Sequence, residues 1–104
     1  TSKYRNSIVL KFLKSGELVY AKQFKGYDNT AWSLYVDNDY LYIPIDFYQS
    51  LKYDETEIIS DGDYDIAVVK LDMDGNLKWM VKNGGTGTDW GVSITGDDNT
   101  LVLS

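Results

Sequence analysis

Cysteine and histidine are both absent from this chain of 104 residues, and proline occurs once. The first two absences exclude a good deal of chemistry. A thiolate nucleophile, a Ser-His-Asp relay, an imidazole base and a zinc site of the usual Cys/His kind cannot be assembled from it. The missing cysteines leave the redox compartment open, since such a chain suits a secreted protein as well as a cytosolic one. No apolar run approaches the ~18 residues that a helix needs to span a bilayer. Basic residues are in deficit too: ten Lys and Arg stand against sixteen Asp and Glu, a net charge of −6. They form no stripe that could neutralise phosphates, so nucleic acid is not an expected partner, and the acidic balance serves solubility. The chain opens on Thr1 and shows no signal-like segment, which reads as a processed or excised piece.

Aromatic residues are what the chain has in abundance, at 14% with nine Tyr and three Trp. They favour strands over helices. Residues 66–71 (IAVVKL) form an apolar run of strand length, and 77–81 (LKWMV) form a second, with Trp79 at its centre. Between them Asp72-Met73-Asp74-Gly75-Asn76 has turn chemistry. The same grammar recurs upstream. Residues 8–12 (IVLKF) and 18–24 (LVYAKQF) are strand patterns around Lys14-Ser15-Gly16-Glu17, with Gly16 suited to a left-handed turn position. Residues 32–36 and 40–45 flank the tight turn Asp37-Asn38-Asp39, and 92–95 and 100–103 flank residues 96–99. Residues 25–29 read as a loop. From 46 to 64 the alternation weakens, with 52–57 a charged, solvated excursion and Ile58-Ile59 a short extra edge. Apolar spacing of three and four is never sustained, so the expectation is one all-β domain of about eight short strands.

The strand-turn-strand units repeat. Displaced by 59 positions, Val9, Lys11, Gly16, Leu18 and Gly26 fall on Val68, Lys70, Gly75, Leu77 and Gly85, and Tyr20 falls on Trp79. Displaced by 60, Ser33, Asp37 and Leu41 fall on Ser93, Asp97 and Leu101. A period of four strands is the mark of a propeller blade. Asp65, the strand 66–71, the D-x-D-G-N turn, Trp79, the Gly84-Gly85 loop and Asp89 together resemble the bacterial β-propeller repeat family. The first half departs from the pattern at Tyr20 and Lys25-Gly26, and Pro44 and Ser104 stand where glycine would be expected.

That resemblance implies antiparallel four-stranded β-propeller blades. Residues 32–36 and 92–95 would be innermost, 40–45 and 100–103 second, 8–12 and 66–71 third, and 18–24 and 77–81 outermost. The chain would then hold about two blades cut in mid-blade. Residues 1–28 would be the outer strands of one, 29–83 a complete blade, and 84–104 the inner strands of the next. The partners so implied are other blades, from the same longer chain or from copies that complete each other's sheets.

Several motifs invite a chemical reading. Asp72 to Asn76 presents oxygens at alternate positions, as a calcium loop does, but a hairpin turn explains the same residues. Asp61, Asp63 and Asp65 have the spacing of an EF-hand start, yet its sixth position is Ile66 inside a strand. The run Gly84-Gly85-Thr86-Gly87-Thr88 lacks the following Lys and helix of a phosphate loop. No metal or cofactor is expected. The candidate ligand-binding residues are Tyr27, Asn29, Trp32, Asp89 and Trp90, aromatics beside Asn and Asp that suit stacking on sugar rings or gripping a peptide, against blade-to-blade packing. Trp79 and Tyr20 are expected in the core. The resulting expectation is a non-catalytic scaffold or binding module of a secreted or surface bacterial protein, with a carbohydrate or protein ligand. The alternative is a glycan-active enzyme using paired loop carboxylates.

Overall fold

A computed structural model describes residues 5–83 and 93–104. Among them are nine strands and no helix: β1 (Ile8–Phe12), β2 (Leu18–Gln23), β3 (Lys25–Ala31), β4 (Tyr35–Asp37), β5 (Tyr40–Tyr53), β6 (Thr56–Asp72), β7 (Leu77–Asn83), β8 (Ile94–Gly96) and β9 (Leu101–Leu103). Every ladder is antiparallel. β1 with β2, and β8 with β9, make separate two-stranded hairpins. β5, β6 and β7 form consecutive neighbours in the central sheet, and β3 and β4 both pair with the same partner, β5. Residues 84–92, which include the Gly84 to Thr88 loop, lie outside the described residues.

The centre of the molecule is the long β5–β6 hairpin. Its alternation puts Leu41, Ile43, Ile45 and Phe47 on one face, directly across from Leu71, Val69, Ala67 and Asp65. All eight are buried, as the period of two requires when one face is covered. Met80 of β7 continues this face beside Val69. The hairpin closes through the two residues Asp54 and Glu55, with Asp54 in the left-handed region at φ 52°. Asp tolerates that conformation because its short side chain can bond locally.

Residues 52–57 are therefore not a solvated excursion but the closed end of this hairpin, and 46–64 as a whole is strand and turn. They continue the two strands, and Ile58-Ile59 belongs to β6. The pattern fades because the pairing is interrupted: Tyr48 faces Tyr64 and Ser50 faces Ile59, so Gln49, at φ 68°, and residues 60–63 bulge out of register. Two further expectations are corrected. Residues 25–29 belong to strand β3, although Asp28 and Asn29 are poor strand formers. Residues 32–34 lie outside β4, with the Trp32 amide donating to the Pro44 carbonyl at 3.2 Å.

The internal repeat is a repeat of pairing. In β1–β2, Leu10 faces Ala21, Lys11 faces Tyr20 and Phe12 faces Leu18, with a register shift after Lys11. In β6–β7, Val69 faces Met80, Lys70 faces Trp79 and Leu71 faces Leu77, with the shift after Lys70. The turns agree bond for bond. Leu13 N donates to Glu17 O and Gly16 N to Leu13 O, as Asp72 N donates to Asn76 O and Gly75 N to Asp72 O. Likewise Tyr35 faces Tyr42 and Val36 faces Leu41 in β4–β5, as Thr95 faces Val102 and Gly96 faces Leu101 in β8–β9.

The β1–β2 hairpin covers the buried face. Val9 packs on the core and the following Phe24 stacks on Tyr53 with ring centroids 4.7 Å apart. Lys11 Nζ donates to the Met73 carbonyl at 2.6 Å. Tyr20 lies flat enough on the 72–76 turn that a Cβ at Gly75 would sit 3.0 Å from its ring, and Gly75 needs its freedom anyway at φ 86°. Tyr53 Oη donates to the Gly75 carbonyl at 2.5 Å. Burial, then the charges of Asp54, Tyr20 and Asp72, push its pKa well above the usual tyrosine value. The folded state thus holds this proton to higher pH than the unfolded chain does. The associated stability is intact below pH ~10 and is lost as pH rises beyond it. Tyr53→Phe is expected to cost about 1 kcal/mol at neutral pH and to make the alkaline decline shallower, both read from urea unfolding at a series of pH values.

Candidate functional site

The other face of the sheet carries a row of side chains that meet directly across four strands. Tyr35 of β4 faces Tyr42 of β5, Tyr42 faces Lys70 of β6, and Lys70 faces Trp79 of β7. Their neighbour Tyr40 lies two residues along β5 on the same face. Lys70 Nζ sits 4.0 Å from the centroid of Tyr40 and 5.5 Å from that of Tyr42, a cation held on aromatic faces. The Tyr35–Tyr42 and Tyr42–Trp79 centroids are each 6.1 Å apart, with tilted planes.

The β8–β9 hairpin borders this row. Tyr35 Oη donates to the Gly96 carbonyl at 3.1 Å. Between the hairpin and the sheet lies a cleft of about 280 Å³, floored by Tyr42, Lys70 and Trp79 and rimmed by Asp37 and residues 97–101. Asp97 is committed to its own turn: its Oδ1 accepts from Thr100 Oγ1 at 2.7 Å, Thr100 N at 3.0 Å and Asn99 N at 3.1 Å. Those bonds, the Thr100 hydroxyl first, hold its carboxyl below the usual range. It is a carboxylate at neutral pH and no proton donor. The cleft offers aromatic faces, one ammonium and the fixed carboxylate of Asp97, a surface suited to packing and hydrogen bonding.

Of the expected ligand residues, the three that are described take different places. Tyr27 is 49% exposed at the irregularity between Gly26 and Asp28. It lines a second, open groove of about 410 Å³ with Gln49, Ser50, Glu57, Ile59 and Ser60. Asn29, two residues away, is buried and serves the fold. Its Oδ1 accepts from Ser7 N at 2.7 Å and its Nδ2 donates to Asn6 Oδ1 at 3.0 Å, tying the chain before β1 to β3. Beside it Asp28 accepts from Tyr64 Oη at 2.8 Å and from Arg5 N at 3.1 Å. Burial disfavours its charge, but these bonds outweigh that cost and hold the carboxyl below its usual range. Trp32 is half-buried at the start of the β3–β4 connection. Asp89 and Trp90 lie outside the described residues.

The acidic motifs resolve as local structure. Asp72 Oδ1 accepts from Asp74 N and Asn76 N, both at 2.9 Å, so its carboxylate closes the turn. Asp65 is buried and accepts from Asp61 N at 3.0 Å, while Asp61 pairs with Lys82 at 2.8 Å. Among the described residues no three acidic side chains converge on a common point.

Trp79 and Tyr20 are not core residues. Both are half-buried on sheet faces, Trp79 in the cleft and Tyr20 over Gly75. The row Tyr35–Tyr42–Lys70–Trp79 is not marked out by parity, since Trp79 shares its phase with Leu77 and Val81, and Lys70 shares its phase with Ile66 and Val68. It becomes a row only once the strands are paired. No protein-family model, no curated protein and no solved structure matches the chain. The different burdens of Tyr27 and Asn29 are measurable. Asn29→Ala is expected to cost about 1–3 kcal/mol by orphaning buried groups, and Tyr27→Ala within about 0.5 kcal/mol, compared by urea denaturation.

Proposed function

We propose that the chain is a non-catalytic repeat module of the β-propeller kind, a scaffold for a secreted or surface bacterial protein whose sheets are completed by copies of itself. One observation carries this reading. β1–β2 repeats the pairing of β6–β7, down to the position of the register shift and the turn bonds, and β8–β9 repeats the pairing of β4–β5. The central sheet has five strands, β3 and β4 both pairing with β5, and β4, β5, β6 and β7 are the ones whose pairing the end hairpins repeat. The two end hairpins are the halves of a second such set, and β9 of one copy beside β1 of another would restore it. A ring needs roughly four to eight blades, so three or four chains would close one.

A ligand, glycan or peptide, is assigned in this reading to the groove beside Tyr27. It offers one aromatic face, hydroxyls and a carboxylate, next to the bulge at Gln49, and bulges recur beside binding sites. The scaffold reading is tested by light scattering on the intact 11.8 kDa chain. A mass of three or four chains is the expected outcome, and a single-chain mass at every concentration removes the reading. Ligand assignment is tested separately, by calorimetric titration with oligosaccharides, where Tyr27→Ala should abolish any heat the parent chain shows.

A further inference from the structure

The repeat says more than that copies join: it says which surfaces meet. Ile8, Leu10 and Phe12 are 57%, 52% and 55% exposed, while their repeat counterparts Ala67, Val69 and Leu71 are fully buried at 0%. The same asymmetry holds in the turns. Gly75 lies under the Tyr20 ring, whereas its counterpart Gly16, at φ 101°, has nothing within 4 Å of where its Cβ would be. Conversely Trp79, the counterpart of Tyr20, overlooks a cleft, and Lys70, the counterpart of Lys11, does not reach a turn carbonyl but rests on tyrosine rings. Each exposed feature is one half of a contact that the chain makes in full elsewhere.

Resting on the scaffold reading, we infer that the Tyr42–Lys70–Trp79 cleft is the seat of the β1–β2 hairpin of a second copy. Trp79 covers Gly16 of the second copy, as Tyr20 covers Gly75. Lys70 Nζ leaves its tyrosines and donates to the carbonyl of that copy's Lys14, as Lys11 donates to Met73. The apolar face of Ile8, Leu10 and Phe12 closes over Val68, Trp79 and Val81. The strand edges fix the register. Since Leu41 faces Leu71, Tyr42 faces Lys70 and Ile43 faces Val69, Leu101 faces Phe12, Val102 faces Lys11 and Leu103 faces Leu10 of the second copy. The occupant is a second copy rather than an unrelated protein because only this hairpin carries the glycine, the turn carbonyl and the apolar face at the spacing the cleft repeats.

The cysteine-free sequence makes the register directly testable. The double variant Lys11→Cys, Val102→Cys should form disulfide-linked chains on oxidation, because opposed strand residues lie within disulfide reach. The pair Leu10→Cys, Val102→Cys, whose side chains point to opposite faces, should not. Gly16→Asn keeps the left-handed turn accessible and has room within its own chain. It should leave the circular dichroism spectrum intact while reducing the light-scattering mass to one chain. Trp79→Ala should do the same, and Trp79→Tyr should retain assembly, since Tyr20 makes the equivalent contact. A monomeric parent chain overturns the scaffold reading and this docking with it. An oligomer that survives Gly16→Asn and Trp79→Ala, and whose Lys11/Val102 cysteines stay unlinked, overturns the docking alone. Should Gly16→Asn fail to fold, the cross-linking pair decides.

Discussion

Everything else in this molecule is hung on the β5–β6 ladder. Antiparallel pairing over this length does two things at once: it satisfies backbone groups of both strands, and it forces the odd-numbered side chains of 41–47 and 65–71 onto one side. That side becomes a core because it is covered, by Phe24, Val9 and the hairpin that carries them. The hydrophobic gain and the register enforce each other, since a slip by one residue would turn Leu41, Ile43, Ile45 and Phe47 out to water and bring Tyr42 and Asp46 in. The neighbouring strands then add to a surface whose phase is already set.

The buried polar groups act as a second, directional restraint. Asn29 and Asp28 give a polar strand its place by gripping the chain at Arg5, Asn6 and Ser7, where apolar packing alone would leave the approach of β1 loosely defined. Such groups cost free energy to bury and return it only when every partner is in position. They therefore select one arrangement of the end hairpin against others that would cover the same apolar area. The surface ion pairs, Lys22 with Asp54 and Lys82 with Asp61, are exposed enough to contribute little beyond this.

Much of this was legible beforehand, for identifiable reasons. Glycines at 16 and 75, strand patterns on either side and the absence of helical spacing announced the hairpins and their repetition. The 46–64 stretch escaped because residues 60–63 change the phase of β6, so that Ile58 packs on the core at even parity while Asp65, Ala67 and Val69 are buried at odd parity. β3 escaped because its residues are held by side-chain hydrogen bonds, which composition does not advertise. Of the candidate ligand residues, Tyr27 is exposed, whereas Asn29, chosen on the same grounds, spends its side chain on bonds within the fold. The aromatic row was beyond reach for a different reason. Its members are far apart in sequence and ordinary one by one, and only cross-strand register makes Tyr42, Lys70 and Trp79 neighbours.

The bond from Lys11 to the Met73 carbonyl joins residues 62 positions apart, and its reach bears on how the chain finds its fold. The hairpins β1–β2, β4–β5, β5–β6, β6–β7 and β8–β9 are local and such units can form in about 1–10 μs. Docking the first of them onto the 72–76 turn has to wait until nearly the whole intervening chain has been ordered, because loop closure over such a span is repaid only by contacts that do not yet exist. The order of events is therefore imposed by connectivity: the β5–β6 hairpin must be in place before the amino-terminal hairpin has anything to land on. During that interval its apolar side and open strand edge face solvent together, the condition in which a chain is open to pairing with the wrong partner.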